Sequence, residues 1–272
     1  MPDKTNNLNE VFVKEITESL YANLNKLKHQ FNNKNASTNT KFFVLDNLID
    51  KSSANLIYKD IFNKANNIKW SKKDTFRERK SGCKDIKSFN KNIVNIFKSF
   101  EDKKVMSLIS QITNIKGLES DPSLYAAGLS KMRYGDFLNP HIDNSHDGTK
   151  SLYRRLNLLF YISPNIKSEH GGNLELWDKK VKREIKLAPI FNRLIIMETN
   201  RNSWHSVDKI INKNIERICI TTYYFSKDSP ENYHYKHVTS FLGRPDQVFL
   251  RGYSRVDNYL RQKADNILTL IR

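Results

Sequence analysis

The chain has 272 residues, 38% of them hydrophobic and 28% charged, enough to bury the core of one large domain without disulfides or metals. It contains no run of about 18 apolar residues, which argues against a membrane span, and MPDKTNNLNE at the start lacks the apolar stretch of a signal peptide. Cys83 and Cys219 are the only cysteines, so a disulfide framework is excluded and a reducing cytoplasm is the expectation. The net charge of +17, from 46 Lys and Arg against 29 Asp and Glu, favours acidic partners. The lysines are nevertheless scattered among asparagines, and no nucleic-acid-binding signature accompanies them, so nucleic acid is not the expected partner.

Val13, Ile16, Leu20, Leu24, Leu27 and Phe31 recur at helical spacing and predict an amphipathic helix over 9–31, with a polar linker over 32–40. FFVLDNLID at 42–50 reads as a strand and turn, and Asp50 or Ser52 caps a helix over 53–65. Residues 66–90 are polar and irregular, and 91–112 is again helical. After residue 124 the texture changes. YAAGLSKMRY, RRLNLLFYIS, NLELWD, KREIKLA, RLIIMET, SWHSV and RICITTYYF alternate with Asn, Asp, Gly and Pro clusters. Many short strands at near-regular spacing predict a sandwich or barrel, and eight of them make a jelly roll. The division expected is 1–40 as helix and linker, 41–130 as a helical and β support region, 131–226 as the β core, and 227–272 as an extension ending in a helix over 255–271.

FLNPHIDNSHDGTK, 137–150, carries the first chemical signal. His141 and Asp143 are two apart, and on a strand such residues project from one face. A short His-x-Asp match arises easily by chance, so a third ligand is needed. His205 in SWHSV follows the turn ETNRN and is the candidate. Two imidazoles and one carboxylate on one face of an ion form the triad of non-haem Fe(II) oxygenases, with three positions left open. Arg217 lies twelve residues later inside the apolar strand RICITTYYF. A guanidinium there is costly without an anion, and the far carboxylate of 2-oxoglutarate suits it as a bidentate partner. Arg217, Cys219 and Thr221 alternate on one strand face. Tyr161 offers a phenol to the same carboxylate, and Asn157 shares the strand face of Leu159 and Tyr161. Either Arg154 or Arg155 is a candidate to face substrate, and His146, Asp147, His170, His234 and His237 read as loop or surface residues.

In this order the motifs over 131–226 resemble the double-stranded β-helix core of the Fe(II)/2-oxoglutarate dioxygenases, closest to the prolyl-hydroxylase-like branch. HID, the distal His205 and Arg217 match that family's metal and cosubstrate pattern. KMRYGDF is similar to the strand whose tyrosine, here Tyr134, reaches the chelated cosubstrate. GGNLELWD, FNRLIIMET and RICITTYYF are similar to further family strands. The resemblance implies an α+β fold with a double-stranded β-helix (jelly-roll) core between N-terminal and C-terminal helices. It implies Fe(II) on His141, Asp143 and His205, and 2-oxoglutarate on Arg217 with Tyr161 or Thr221. O2 is then the cosubstrate, and ascorbate an accessory reductant. It implies hydroxylation of an unactivated C–H, with a prolyl residue of a peptide or protein as the first substrate expectation. A free amino acid, a sugar or a small biosynthetic intermediate is the alternative, and the charge favours an anionic one. A carboxylate at Asp143 argues against halogenation. A nucleic-acid demethylase would carry a second arginine after Arg217, which RICITTYYF lacks, and a non-catalytic binding module would lose a member of the triad. Oligomeric state is left open.

Overall fold

The computed structural model describes residues 4–33, 37–63, 68–86, 89–120, 127–231 and 233–270, so the linker expected over 32–40 falls partly outside them. Along the chain these residues form α1 (Lys4–Ala22), α2 (Leu24–Asn32), β1 (Phe42–Asp46), α3 (Lys51–Phe62), β2 (Ser71–Asp74), β3 (Glu78–Cys83), α4 (Lys91–Phe100) and α5 (Lys103–Thr113). The β-rich part follows as β4 (Glu119–Ser120), β5 (Gly128–Met132), β6 (Phe137–Ile142), β7 (Tyr153–Tyr161), β8 (Leu174–Trp177), β9 (Glu184–Leu187), β10 (Arg193–Glu198), β11 (His205–Val207) and β12 (Arg217–Ser226). The short β13 (Ser240–Phe241) and the long α6 (Val248–Leu270) close the chain.

Local chemistry breaks two predicted helices into pairs. At Asn23 the backbone leaves helical geometry, and the side-chain amide donates back to Ser19 O at 2.9 Å, separating α1 from α2. In the helix read over 91–112, Glu101 closes α4 and Asp102 caps α5, its carboxylate accepting from Lys104 N at 2.7 Å. The segment read as irregular, 66–90, holds the antiparallel hairpin of β2 and β3.

The strands form one curled antiparallel sheet in the order β1-β10-β7-β12-β5-β3-β6-β11-β8-β9, with β13 on β6, β2 on β3 and β4 on β12. The fold is α+β, a β half-barrel with flanking helices, as expected. Its centre is buried on both faces. Leu156, Leu158 and Phe160 of β7, with Leu194, Ile196, Ile218 and Ile220, pack on the helix side. Their neighbours Leu159 and Tyr161, with Ile195, Met197 and Cys219, fill the concave side. That alternation explains why β7 and β12 read as near-continuous apolar runs. Among the described residues no helix is long and apolar enough to cross a membrane.

Candidate metal centre

Two strands meet at the open end of the half-barrel. β6 carries His141 and β11 carries His205, paired antiparallel so that the two residues are direct partners. Asp143 follows the last residue of β6. His141 Nε2 lies 3.7 Å from Asp143 Oδ1, and His205 Nε2 lies 3.9 Å from Asp143 Oδ2. All three ligand atoms fall within 4.8 Å of one another, and both imidazoles are buried.

The rings are aimed by the backbone. His141 Nδ1 faces Asn139 O at 3.1 Å, and His205 Nδ1 faces Ser203 O at 3.0 Å. A carbonyl can only accept, so each Nδ1 carries the proton and each Nε2 lone pair is left toward the shared point. Burial, reinforced by the neighbouring His205, pushes the His141 imidazole down to about 3, so it stays neutral. Burial opposes charge on Asp143, yet Arg154, followed by His205 and His141, holds its carboxyl below the usual range. One carboxylate and two imidazoles suit a divalent ion, and the 2-His-1-carboxylate set fits Fe(II).

The same cavity is walled by Arg217, Thr221, Asn157 and Cys219. Arg217 is 3% exposed. Its Nε donates to Gly172 O at 2.8 Å, its Nη2 to the Tyr161 hydroxyl at 3.2 Å, and its Nη1 faces Met132 Sδ at 3.7 Å. None of these partners is an anion, so the guanidinium fits an incoming carboxylate. Gly172 makes this approach possible. Its φ is +79°, and an added Cβ would stand 3.0 Å from Arg217 Cδ. Burial raises the Tyr161 phenol, which therefore stays protonated.

Asn157 Nδ2 lies 3.5 Å from Asp143 Oδ2, and its Oδ1 makes no hydrogen bond. Tyr134 is not brought to the site. β5 stops at Met132, and Tyr134 stands on the turn that Arg133 and Asp136 close, 54% exposed beneath Lys213. His146 and Asp147 are loop residues outside the ligand set, as expected, and both are buried. They serve their own loop, Asp147 accepting from the N–H of Thr149, Ser151 and Leu152.

Arg154, offered with Arg155 as a candidate to face substrate, reaches the metal-ligating carboxylate, and Lys80 adds to the set read from the sequence. Arg154, 2% exposed, places Nη1 3.5 Å from Asp143 Oδ2 and its guanidinium 4.0 Å over the Tyr223 ring. The position of Arg154 and Arg155 near the motif loop pointed to one of them facing the site, but not to which one. Arg155 turns the other way, to Ser226 Oγ at 2.8 Å and Asp228 O at 2.9 Å. Lys80 of β3 also reaches the cavity, and its polar surroundings gave no signal.

Residues 127–225 match the model of the 2OG-Fe(II) oxygenase superfamily. Over 119 residues, 42% of the chain, the sequence is 24% identical to prolyl 3-hydroxylase OGFOD1 of Mus musculus and spans 21% of that protein's length. Among solved structures, the fold resembles a Trichoplax adhaerens prolyl hydroxylase in complex with a hypoxia inducible factor oxygen degradation domain peptide fragment. There the TM-score is 0.54 at 21% identity, covering 79% of this chain and 92% of that one. It also resembles a prolyl 4-hydroxylase of Phytophthora capsici, with a TM-score of 0.54 at 16% identity, covering 90% and 75%. The match to the 2OG-Fe(II) oxygenase model spans His141, Asp143, His205 and Arg217 together, and over residues 127–225 the chain is similar to that superfamily.

Proposed function

We propose that the chain is a 2-oxoglutarate-dependent dioxygenase that hydroxylates a prolyl residue in a peptide or protein. The observation that carries this reading is one cavity shared by the His141, Asp143 and His205 donors and the anion-free guanidinium of Arg217. The prolyl preference is supported by the curated mouse relative and by the peptide held in the Trichoplax adhaerens structure.

Fe(II), 2-oxoglutarate and O2 together supply the oxidising power that converts a C–H to a C–OH while 2-oxoglutarate becomes succinate and CO2. The chain supplies position and polarity. His141 and His205 present fixed Nε2 lone pairs, and Asp143 adds the one negative ligand. Arg217 takes the distal carboxylate of 2-oxoglutarate. Tyr161, held by Arg217, has its own proton free to donate to that carboxylate, and Thr221 lines the same end. Asn157 steadies Asp143 from the β7 side. Leu159, Leu174 and Val207 keep water from the remaining wall. Two free, buried cysteines suit the reducing cytoplasm as the site of action.

The test is aerobic incubation with Fe(II), 2-oxoglutarate and, in parallel reactions, proline-containing peptides, free amino acids and sugars. Succinate release together with a mass gain of one oxygen localised to proline supports the reading. Succinate release with oxygen found only on a free amino acid or sugar moves the substrate elsewhere, and succinate release independent of Fe(II) overturns the chemistry.

A further inference from the structure

The cavity of the metal centre opens into a groove beneath the β2–β3 hairpin, and the groove is cationic. Ser71 pairs with Gly82 and Lys73 with Lys80 across the hairpin. By the two-residue alternation of strands, Lys69, Lys73, Lys80 and Lys84 share one hairpin face with Glu78. That face lines openings on both sides of the metal centre, which have Lys73, Lys80, Lys84 and Tyr223 in common. Around both openings stand eight Lys and Arg side chains against four Asp and Glu. On the far wall Arg77 and Arg261 share Asp257.

Two features say that this charge is more than a solvated surface. Lys73 and Lys80 are direct cross-strand partners, an arrangement that destabilises a hairpin. Glu78 holds both, at 2.7 Å and 2.9 Å. At the inner end, Arg154 is 2% exposed and lines the groove, yet its Nε and Nη2 make no hydrogen bond. Buried guanidinium donors without acceptors are costly and mark where a ligand oxygen belongs.

Resting on the hydroxylase reading above, we propose that the groove selects an acidic peptide. Asp or Glu side chains flanking the target residue lie along Lys73, Lys80 and Lys84, and a peptide oxygen next to the target meets Arg154. A single-stranded nucleic acid fits the groove less well. Strand binders need open aromatic faces for base stacking, and the two rings that line the groove are already covered. Arg154 lies over Tyr223 at 4.0 Å, and His141 stacks on Phe241 at 5.2 Å.

The experiment uses the full chain with Mn(II) and 2-oxoglutarate, and a proline-centred fluorescent peptide in three versions whose flanking positions carry Glu, Gln or Lys. Fluorescence anisotropy gives binding, and mass spectrometry with Fe(II) gives hydroxylation. The Glu version is expected to bind at least ~10-fold more tightly than the Gln version at low salt, with the gap closing as salt rises. The double variant Lys73→Glu, Lys84→Glu is expected to reverse the order in favour of the Lys version. Both side chains are exposed, and the single variant Lys84→Glu gives the same reading should the double variant not fold. Equal binding of the Glu and Gln versions overturns the proposal. So does an oligonucleotide that displaces the Glu version at equal concentration, or a variant whose preference is unchanged. The hydroxylase reading fails separately. Selective binding of the Glu version with no oxygen gained at proline defeats that reading and leaves the groove standing. Equal hydroxylation of all three versions does the reverse.

Discussion

His141 and His205 face each other as direct partners on neighbouring antiparallel strands, their ring centroids 4.0 Å apart. Each ring is held by a backbone carbonyl two residues before it. The metal site is therefore built on strand register: slipping β11 by one residue would turn His205 to the opposite face and remove it from the triad.

Replacing either imidazole tests this arrangement. His141→Ala and His205→Ala are each expected to weaken Co(II) or Mn(II) binding by on the order of a hundredfold or more. The d–d absorption of the Co(II) form reads this directly, without any turnover. Wild-type metal affinity in His205→Ala would remove that residue from the ligand set.

Much of this geometry was legible in the sequence because it rides on strand periodicity. His141-Ile142-Asp143 and the alternation of Arg217, Cys219 and Thr221 follow from a two-residue repeat, and the structure sets these residues around one cavity. Tyr134 went astray because β5 ends one turn too early to carry it inward. The β2–β3 hairpin escaped because every residue of β2 is exposed, which leaves no apolar rhythm to read. The helix expected over 255–271 begins instead at Val248, its first turns disguised by Gly252 and by solvent-facing Phe249 and Tyr253. Lys80 had no signal at all, since only the long-range pairing of β3 with β5 and β6 carries it to the metal centre.

Arg217→Met is expected to lower 2-oxoglutarate affinity by ~2–5 kcal/mol, the usual consequence of leaving one member of a buried charged pair alone. Tyr161→Phe removes only the hydroxyl that Arg217 reaches at 3.2 Å, and is expected to cost about 1 kcal/mol. Isothermal titration with 2-oxoglutarate measures both. A larger loss from Tyr161→Phe than from Arg217→Met would reverse the roles given to the two side chains.

Glu78 links the groove to acid stability. Burial opposes its charge, but Lys80 and Lys73 outweigh that and lower its carboxyl from 4.5 to about 2. A folded-state value below the unfolded one means stability that is complete above the unfolded value and lost as pH falls toward the folded one. Wild-type protein is therefore expected to exceed Glu78→Gln by ~2 kcal/mol near neutrality, allowing for screening. The gap should close between about pH 4.5 and 2. Denaturant melts across that range check it, and a gap that stays constant would mean that the lysines do not act through this carboxylate.

Arg154 and Asp143 form a buried pair whose balance depends on the ion. The guanidinium lies 3.5 Å from Asp143 Oδ2, with Tyr223 on its face. Removing it leaves Asp143 as a buried anion, which costs ~3 kcal/mol when nothing else compensates. A divalent ion on the triad compensates that charge by itself. Arg154→Met is therefore expected to destabilise the metal-free protein strongly and the Mn(II)-loaded protein much less, so that Mn(II) raises Tm further in the variant than in the wild type. Loss of packing on Tyr223 alone would lower both forms equally. Equal Mn(II) shifts in variant and wild type would thus show that Arg154 serves the aromatic wall and not the metal-ligating carboxylate.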